Sequence, residues 1–223
     1  MEASSNRPSR GAILELVKAA LREKSASHNS ATAGVATPGA PGTPFPIMKQ
    51  LEQSATDLFK EVLLDYKATV RRCEEHQIPS VIAELFAHQE ISSAVIPSGL
   101  DSSWIEQIKG IELIVDDGFR SAGELASIDA VITGCACAIA ETGTLVLSCQ
   151  PDEGRRAITL LPDFHFCVVR SQAIIRGVKD LFKHVSAANP ITLISGPSAT
   201  SDIELKRVEG VHGPRNLFVI IVG

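Results

Sequence analysis

Glu141 is the single charge in the run 138–147, AIAETGTLVL. A carboxylate set among apolar and small residues has to be paired, protonated or open to a cavity, because burying it alone is expensive. Gly143 permits close backbone approach, and Thr142 and Thr144 add hydroxyls. The segment is therefore a candidate nucleophile, base or ligand-binding carboxylate at the rim of a sheet. The same pattern fits a structural acid that accepts backbone N–H bonds at a turn. A second candidate spans 191–215, ITLISGPSATSDIELKRVEGVHGPR, where a buried run enters Ser195, Gly196, Pro197 and Ser198 before a helical pattern. Strand, glycine turn and helix start in sequence leave backbone N–H groups at the carboxyl end of the strand, where an anion binds. Asp202 and Glu204 speak for a hydroxyl or a cation instead of a phosphate. Ser201 with Glu204 also reads as a capping box, and Pro197 as a turn former.

His165, in LPDFH, and His212, in VHGPR, lie at strand or turn edges that could approach Glu141 and Ser195. Either could shuttle protons near neutral pH or serve only as a hydrogen-bonding residue. Arg155 and Arg156 could clamp a carboxylate, or be solvated charges at a hairpin tip. Cys135 and Cys137, in GCAC, have one residue between them and no second pair, which argues against a metal site.

These groups need elements to hold them. Residues 11–24 place Ile13, Leu14, Val17, Ala20 and Leu21 on one helical stripe. That helix is either a docking arm or one that packs back on its own domain. Residues 25–46 contain no Asp, Glu, Lys or Arg, and 18 of the 22 are Ala, Gly, Pro, Ser or Thr, the composition of a flexible linker. From 47 the spacing of Met48, Leu51, Ala55, Leu58, Phe59, Val62, Leu63, Tyr66, Val70 and Cys73 predicts one long helix, and 80–88 a second. Apolar runs at 92–97, 111–117 and 129–134 then alternate with short helices, one opened by Asp101 and one near 121–127. That rhythm predicts a parallel sheet flanked by helices. Runs 144–149 and 157–162 flank PDEGRR and predict a β-hairpin turning near Asp152 to Gly154. Strands at 166–170, 191–195 and 217–222, with helices over 171–188 and near 201–209, complete an α/β domain. It is mostly parallel, with an antiparallel excursion, and occupies 47–223 after the segment 1–46.

At 223 residues and 44% apolar content the chain is long enough for a full core. A net charge of -5 argues against nucleic acid and acidic membranes. Five cysteines, Cys73, Cys135, Cys137, Cys149 and Cys167, lack the paired spacing of zinc or iron–sulfur sites and suit a reducing cytoplasm. No window is apolar enough to span a bilayer. Phosphate-loop, dinucleotide-binding, nucleophile-elbow and ferredoxin motifs are absent, so no redox cofactor is expected in this chain.

The segments TGCACAIAETGTLVL (133–147), LLPDFHFCVV (160–169) and ISGPSATSDIELKRVEGVHGPRNLFVIIV (194–222) resemble the lactate utilization (LUD) domain family, within it the lactate-utilization protein C group. VDDGF (115–119) extends the likeness to most of the chain from about residue 90 onward. The resemblance implies a fold similar to sugar-phosphate isomerases, family I CoA transferases and 5-formyltetrahydrofolate cyclo-ligases. It implies a non-redox subunit of an L-lactate oxidation system, converting lactate to pyruvate beside iron–sulfur proteins that hold the clusters. The alternative is a free-standing CoA-transferase-like or cyclo-ligase-like enzyme using Glu141, whose AETGT context is similar to that of the transferase nucleophile. Ala199 and Ser201 stand where the family often has Arg and Ala. A third reading treats 194–215 as a contact between copies of the chain.

Overall fold

The computed structural model describes residues 53–200, 208–209 and 213–223. The expected helix at 11–24 and the linker at 25–46 lie outside them.

Helix α1 (Ala55–Asp65) starts where the Ser54 hydroxyl accepts the Asp57 N–H and buries Leu58, Phe59 and Leu63. It does not run on to Cys73. Lys67 takes a left-handed φ of 66°, its N–H donates to the Leu64 carbonyl, and Ala68 N–H donates to the Leu63 carbonyl. This is a Schellman stop with lysine in the position glycine usually fills. The chain then extends as β1 (Thr69–Cys73). Helix α2 (Ile78–Ala87) follows with Pro79 in its first turn, where the missing N–H costs nothing. Next come β2 (Ser93–Ile96), a 3₁₀ turn capped by Asp101, and β3 (Glu112–Val115). Helix α3 (Ala122–Ala126) is opened by a Ser121–Glu124 capping box. Then follow β4 (Ala130–Thr133), β5 (Cys137–Ile139), β6 (Thr144–Leu147), β7 (Phe164–Arg170), β8 (Ile174–Ile175), β9 (Thr192–Ser195), β10 (Ala199–Thr200), β11 (Val208–Glu209) and β12 (Asn216–Val222).

Six strands form one sheet in the order β1-β12-β7-β4-β2-β3, with every neighbouring pair parallel. A second sheet, β8-β5-β6-β9, is mixed: β6 runs antiparallel to both neighbours, and β5 and β8 are parallel. The α/β class, mostly parallel with an antiparallel excursion, is as the sequence predicts.

The excursion is built differently. The partner of β6 is β5, reached through the tight turn at Gly143, and not the run 157–162. Residues Arg156–Thr159 form a 3₁₀ turn. The loop before it is drawn in by Glu153, whose buried carboxylate accepts the N–H groups of Ser148 and Gln150. Such an acid satisfies donors that a hairpin would have paired. The helix expected over 171–188 is also absent: a 3₁₀ turn, β8 and a second 3₁₀ turn (Val178–Lys183) take its place. Of the helix expected near 201–209, Val208–Glu209 is instead strand, paired antiparallel with β10, and the rest lies outside the described residues.

Alternation along the central strands divides the core. Phe166, Val168, Phe218, Ile220 and Ile132 pack with Ile78, Ile82 and Phe86 of α2. Cys167, Val169, Val219 and Ile221 pack with α1 and the inner side of the second sheet. The other side of the second sheet buries Cys137, Ile139 and Val146 against Leu181 and Val185.

Candidate functional site

Because Phe164, Phe166 and Val168 face α2, the intervening His165 of β7 faces the second sheet. It is fully buried. Its Nε2 lies 2.8 Å from the hydroxyl of Thr133 at the end of β4, and its Nδ1 has no hydrogen-bond partner among the described residues. Burial holds its pKa down at about 4, so the ring is neutral at physiological pH. It works there as a hydrogen-bonding group, donor or acceptor according to tautomer.

His165 lines a cavity of about 430 Å³ at the amino ends of β7 and β12. Strand β9 forms one wall and delivers Ser195, Gly196, Pro197 and Ser198 to it. Gly196 has φ 82°, and a Cβ there would come within 2.7 Å of Tyr66, so the turn needs glycine both for conformation and for space. Ser198 N–H donates to the Pro214 carbonyl, which pins the two rims together. Leu160, Ile194 and Leu217 supply apolar surface, and Arg156 supplies a cation. The sequence reading therefore collects five of its candidates, His165 and residues 195–198, in one place. It also placed Arg156 at a wet hairpin tip, whereas this residue borders the cavity.

Its neighbour Arg155 is occupied elsewhere. Nε and Nη2 donate to the two carboxylate oxygens of Asp116 at 2.8 and 3.0 Å, and Nη2 also donates to the Arg120 carbonyl. The Arg155 guanidinium holds the Asp116 carboxyl below the usual range.

Glu141 stands apart. It is exposed, in the 3₁₀ turn Ala140–Thr142, and lines neither this cavity nor the adjoining hollow described below. Its N–H donates to the Arg176 carbonyl, and its carboxylate lies over Gly177, where a Cβ would come within 2.7 Å of Oε2. Gly143 takes φ 57° against Val62. A line of hydroxyls still joins this turn to the cavity. Thr142 Oγ1 is 2.6 Å from Thr144 Oγ1, which is 2.8 Å from Ser195 Oγ. Asp202, Glu204 and His212 lie outside the described residues.

Two groups owe their state to contacts that the sequence reading did not foresee. Burial pushes the Glu153 carboxyl up, although it accepts two backbone N–H groups. The neighbouring Cys167 thiol, which donates to the Gly134 carbonyl, raises the Cys135 thiol well above its ordinary value. Neither had a local signal, since each depends on a partner brought in by tertiary contact. Among the described residues no group of three or more His, Cys, Asp or Glu is arranged to hold a metal ion.

A second hollow of about 740 Å³ adjoins the first and shares Arg156, Leu160 and Gly213 with it. Its acids are already engaged. Asp129 accepts from the backbone and hydroxyl groups of Ser92 and Ser93, and Asp163 pairs with Arg215.

The LUD domain model matches residues 56–222. A Deinococcus radiodurans protein named Lactate utilization protein C is 42% identical over 185 residues, covering 81% of this chain and 85% of that one. A protein of the same name from Oceanobacillus iheyensis is 22% identical over 68% of this chain and 72% of its own. Among solved structures, the 1.70 Å crystal structure of a DUF162 family protein from D. radiodurans aligns with TM-score 0.64 and 36% identity. That alignment covers 81% of this chain and all of the other. The match across β1 to β12, with these relatives, places the chain in the LUD domain family.

Proposed function

We propose that the protein serves lactate utilization as a non-redox subunit of an L-lactate oxidation system, acting beside iron–sulfur proteins that take the electrons. The observation that carries this reading is the 42% identity, over 81% of the chain, to a protein named Lactate utilization protein C. The sequence supports it from another side. Taking two electrons from lactate needs an acceptor, and the five cysteines are not spaced as cluster ligands. The chain's own contribution under this reading is a binding cavity, with Arg156 as the cation at its edge and His165 as a neutral hydrogen-bonding group inside it.

Reconstitution tests the proposal. Lactate-dependent dye reduction by the iron–sulfur partners is measured with and without this chain, together with its co-purification. Turnover should fall when the chain is omitted. Unchanged turnover and no association would refute the role.

A further inference from the structure

The size of the cavity and the unanswered polarity of its wall point to a ligand other than lactate. A space of about 430 Å³ falls in the range of drug-sized pockets. A three-carbon acid displaces far less than that, given that one water takes roughly 30 Å³ of liquid. Leu160, Ile194 and Leu217 give the space an apolar wall. Among the described residues the Arg156 guanidinium makes no ion pair or side-chain hydrogen bond, whereas Arg155 and Arg215 beside it are both paired. His165 lines the same space, and its buried Nδ1 has no partner among the described residues, a state that costs free energy unless something fills it.

We infer that this cavity binds an organic anion larger than a three-carbon acid, with its carboxylate or phosphate on Arg156, an apolar body against Leu160, Ile194 and Leu217, and an uncharged polar group against His165 Nδ1. The division of labour follows from charge. Arg156 is exposed and cationic, so it takes the anionic head at the mouth. The neutral imidazole offers no countercharge and therefore selects a hydroxyl, oxo or amide group. Binding of this kind belongs to the isolated chain. It stands or fails separately from the lactate role, which needs the partners.

Isothermal titration of the full chain with phenyllactate, phenyl phosphate and lactate tests the inference. Phenyllactate or phenyl phosphate should bind, the tighter of the two naming the head group, and lactate should bind at least about ten-fold more weakly. Arg156→Ala should weaken the aromatic anion by about ten-fold or more, and Arg156→Lys by less. Arg156 is exposed, so neither change disturbs the core. Failure of both aromatic anions to bind at millimolar concentration overturns the proposal. So does lactate binding as tightly as they do, or an Arg156→Ala protein that binds them unchanged.

Discussion

The two faces of the six-stranded sheet are made by the same strands and differ in kind. Toward α2, β7 and β12 offer Phe166, Val168, Phe218 and Ile220, and the rings of Phe166 and Phe86 lie 4.3 Å apart, those of Phe166 and Phe218 4.5 Å. Toward the second sheet the same strand β7 offers His165 and Cys167, near Thr133 and Cys135. One face is closed by apolar packing alone. The other adds polar groups whose hydrogen bonds are specific and, at His165 Nδ1, incomplete among the described residues. A single residue step along β7 thus leads from an all-apolar face to one where an apolar cluster and a polar cavity meet.

The largest effect that separates the faces is expected at Phe166. Phe166→Ala should cost about 3–5 kcal/mol in urea unfolding, because a large fully buried ring leaves a void between two aromatic neighbours. A loss near 1 kcal/mol would mean that the α2 face is not the main source of stability. His165 should reveal itself through acid. Its pKa is depressed in the folded state from 6.5 to about 4, so the unfolded chain takes up a proton first. Its contribution to stability is therefore complete above pH 6.5 and lost as pH falls toward 4, on the order of 3 kcal/mol in all. Denaturation at pH 7 and pH 4.5 should show that slope in the wild type and a shallower one in His165→Gln.

Smaller again is the pair holding the edge of the polar face. Asp116→Asn should cost about 2 kcal/mol by thermal unfolding, since the side chain of Asp116 is 6% exposed and receives both Arg155 donors. Equal stability of mutant and wild type would show the pair to be neutral. Least of all, Glu141→Gln should change stability by less than about 0.5 kcal/mol, as expected of an exposed side chain. It should also leave titration of the cavity unchanged. Loss of anion binding in that variant would join the turn and the cavity into one site.

Much of this was legible in advance because it rests on local chemistry. The short helix expected near 121–127 is α3, opened by a Ser121–Glu124 capping box, and the segment expected to open at Asp101 is a 3₁₀ turn that Asp101 caps. The apolar runs at 92–97, 111–117, 129–134, 166–170 and 217–222 became parallel strands within two residues. The errors share a cause. Lys67 stops α1 in a conformation that advertises itself only when glycine occupies it. Glu153 looked like a solvated turn residue, yet it is buried to bind two N–H groups. Gly177, inside the expected helix 171–188, has its backbone against Glu141, a contact distant in sequence. For the site, His165 and 195–198 were found as chemical types, but their convergence with Arg156 came from tertiary structure.

The position of β12 has a consequence for how the molecule is made. Among the described residues strand β1 has no neighbour in the sheet other than β12, which lies between it and β7. During synthesis β1 emerges more than a hundred residues before that neighbour. Until the ribosome has released residues 216–222, β1 has no strand to pair with, so a nascent chain stalled short of them keeps Thr69–Cys73 open to chaperones and proteases.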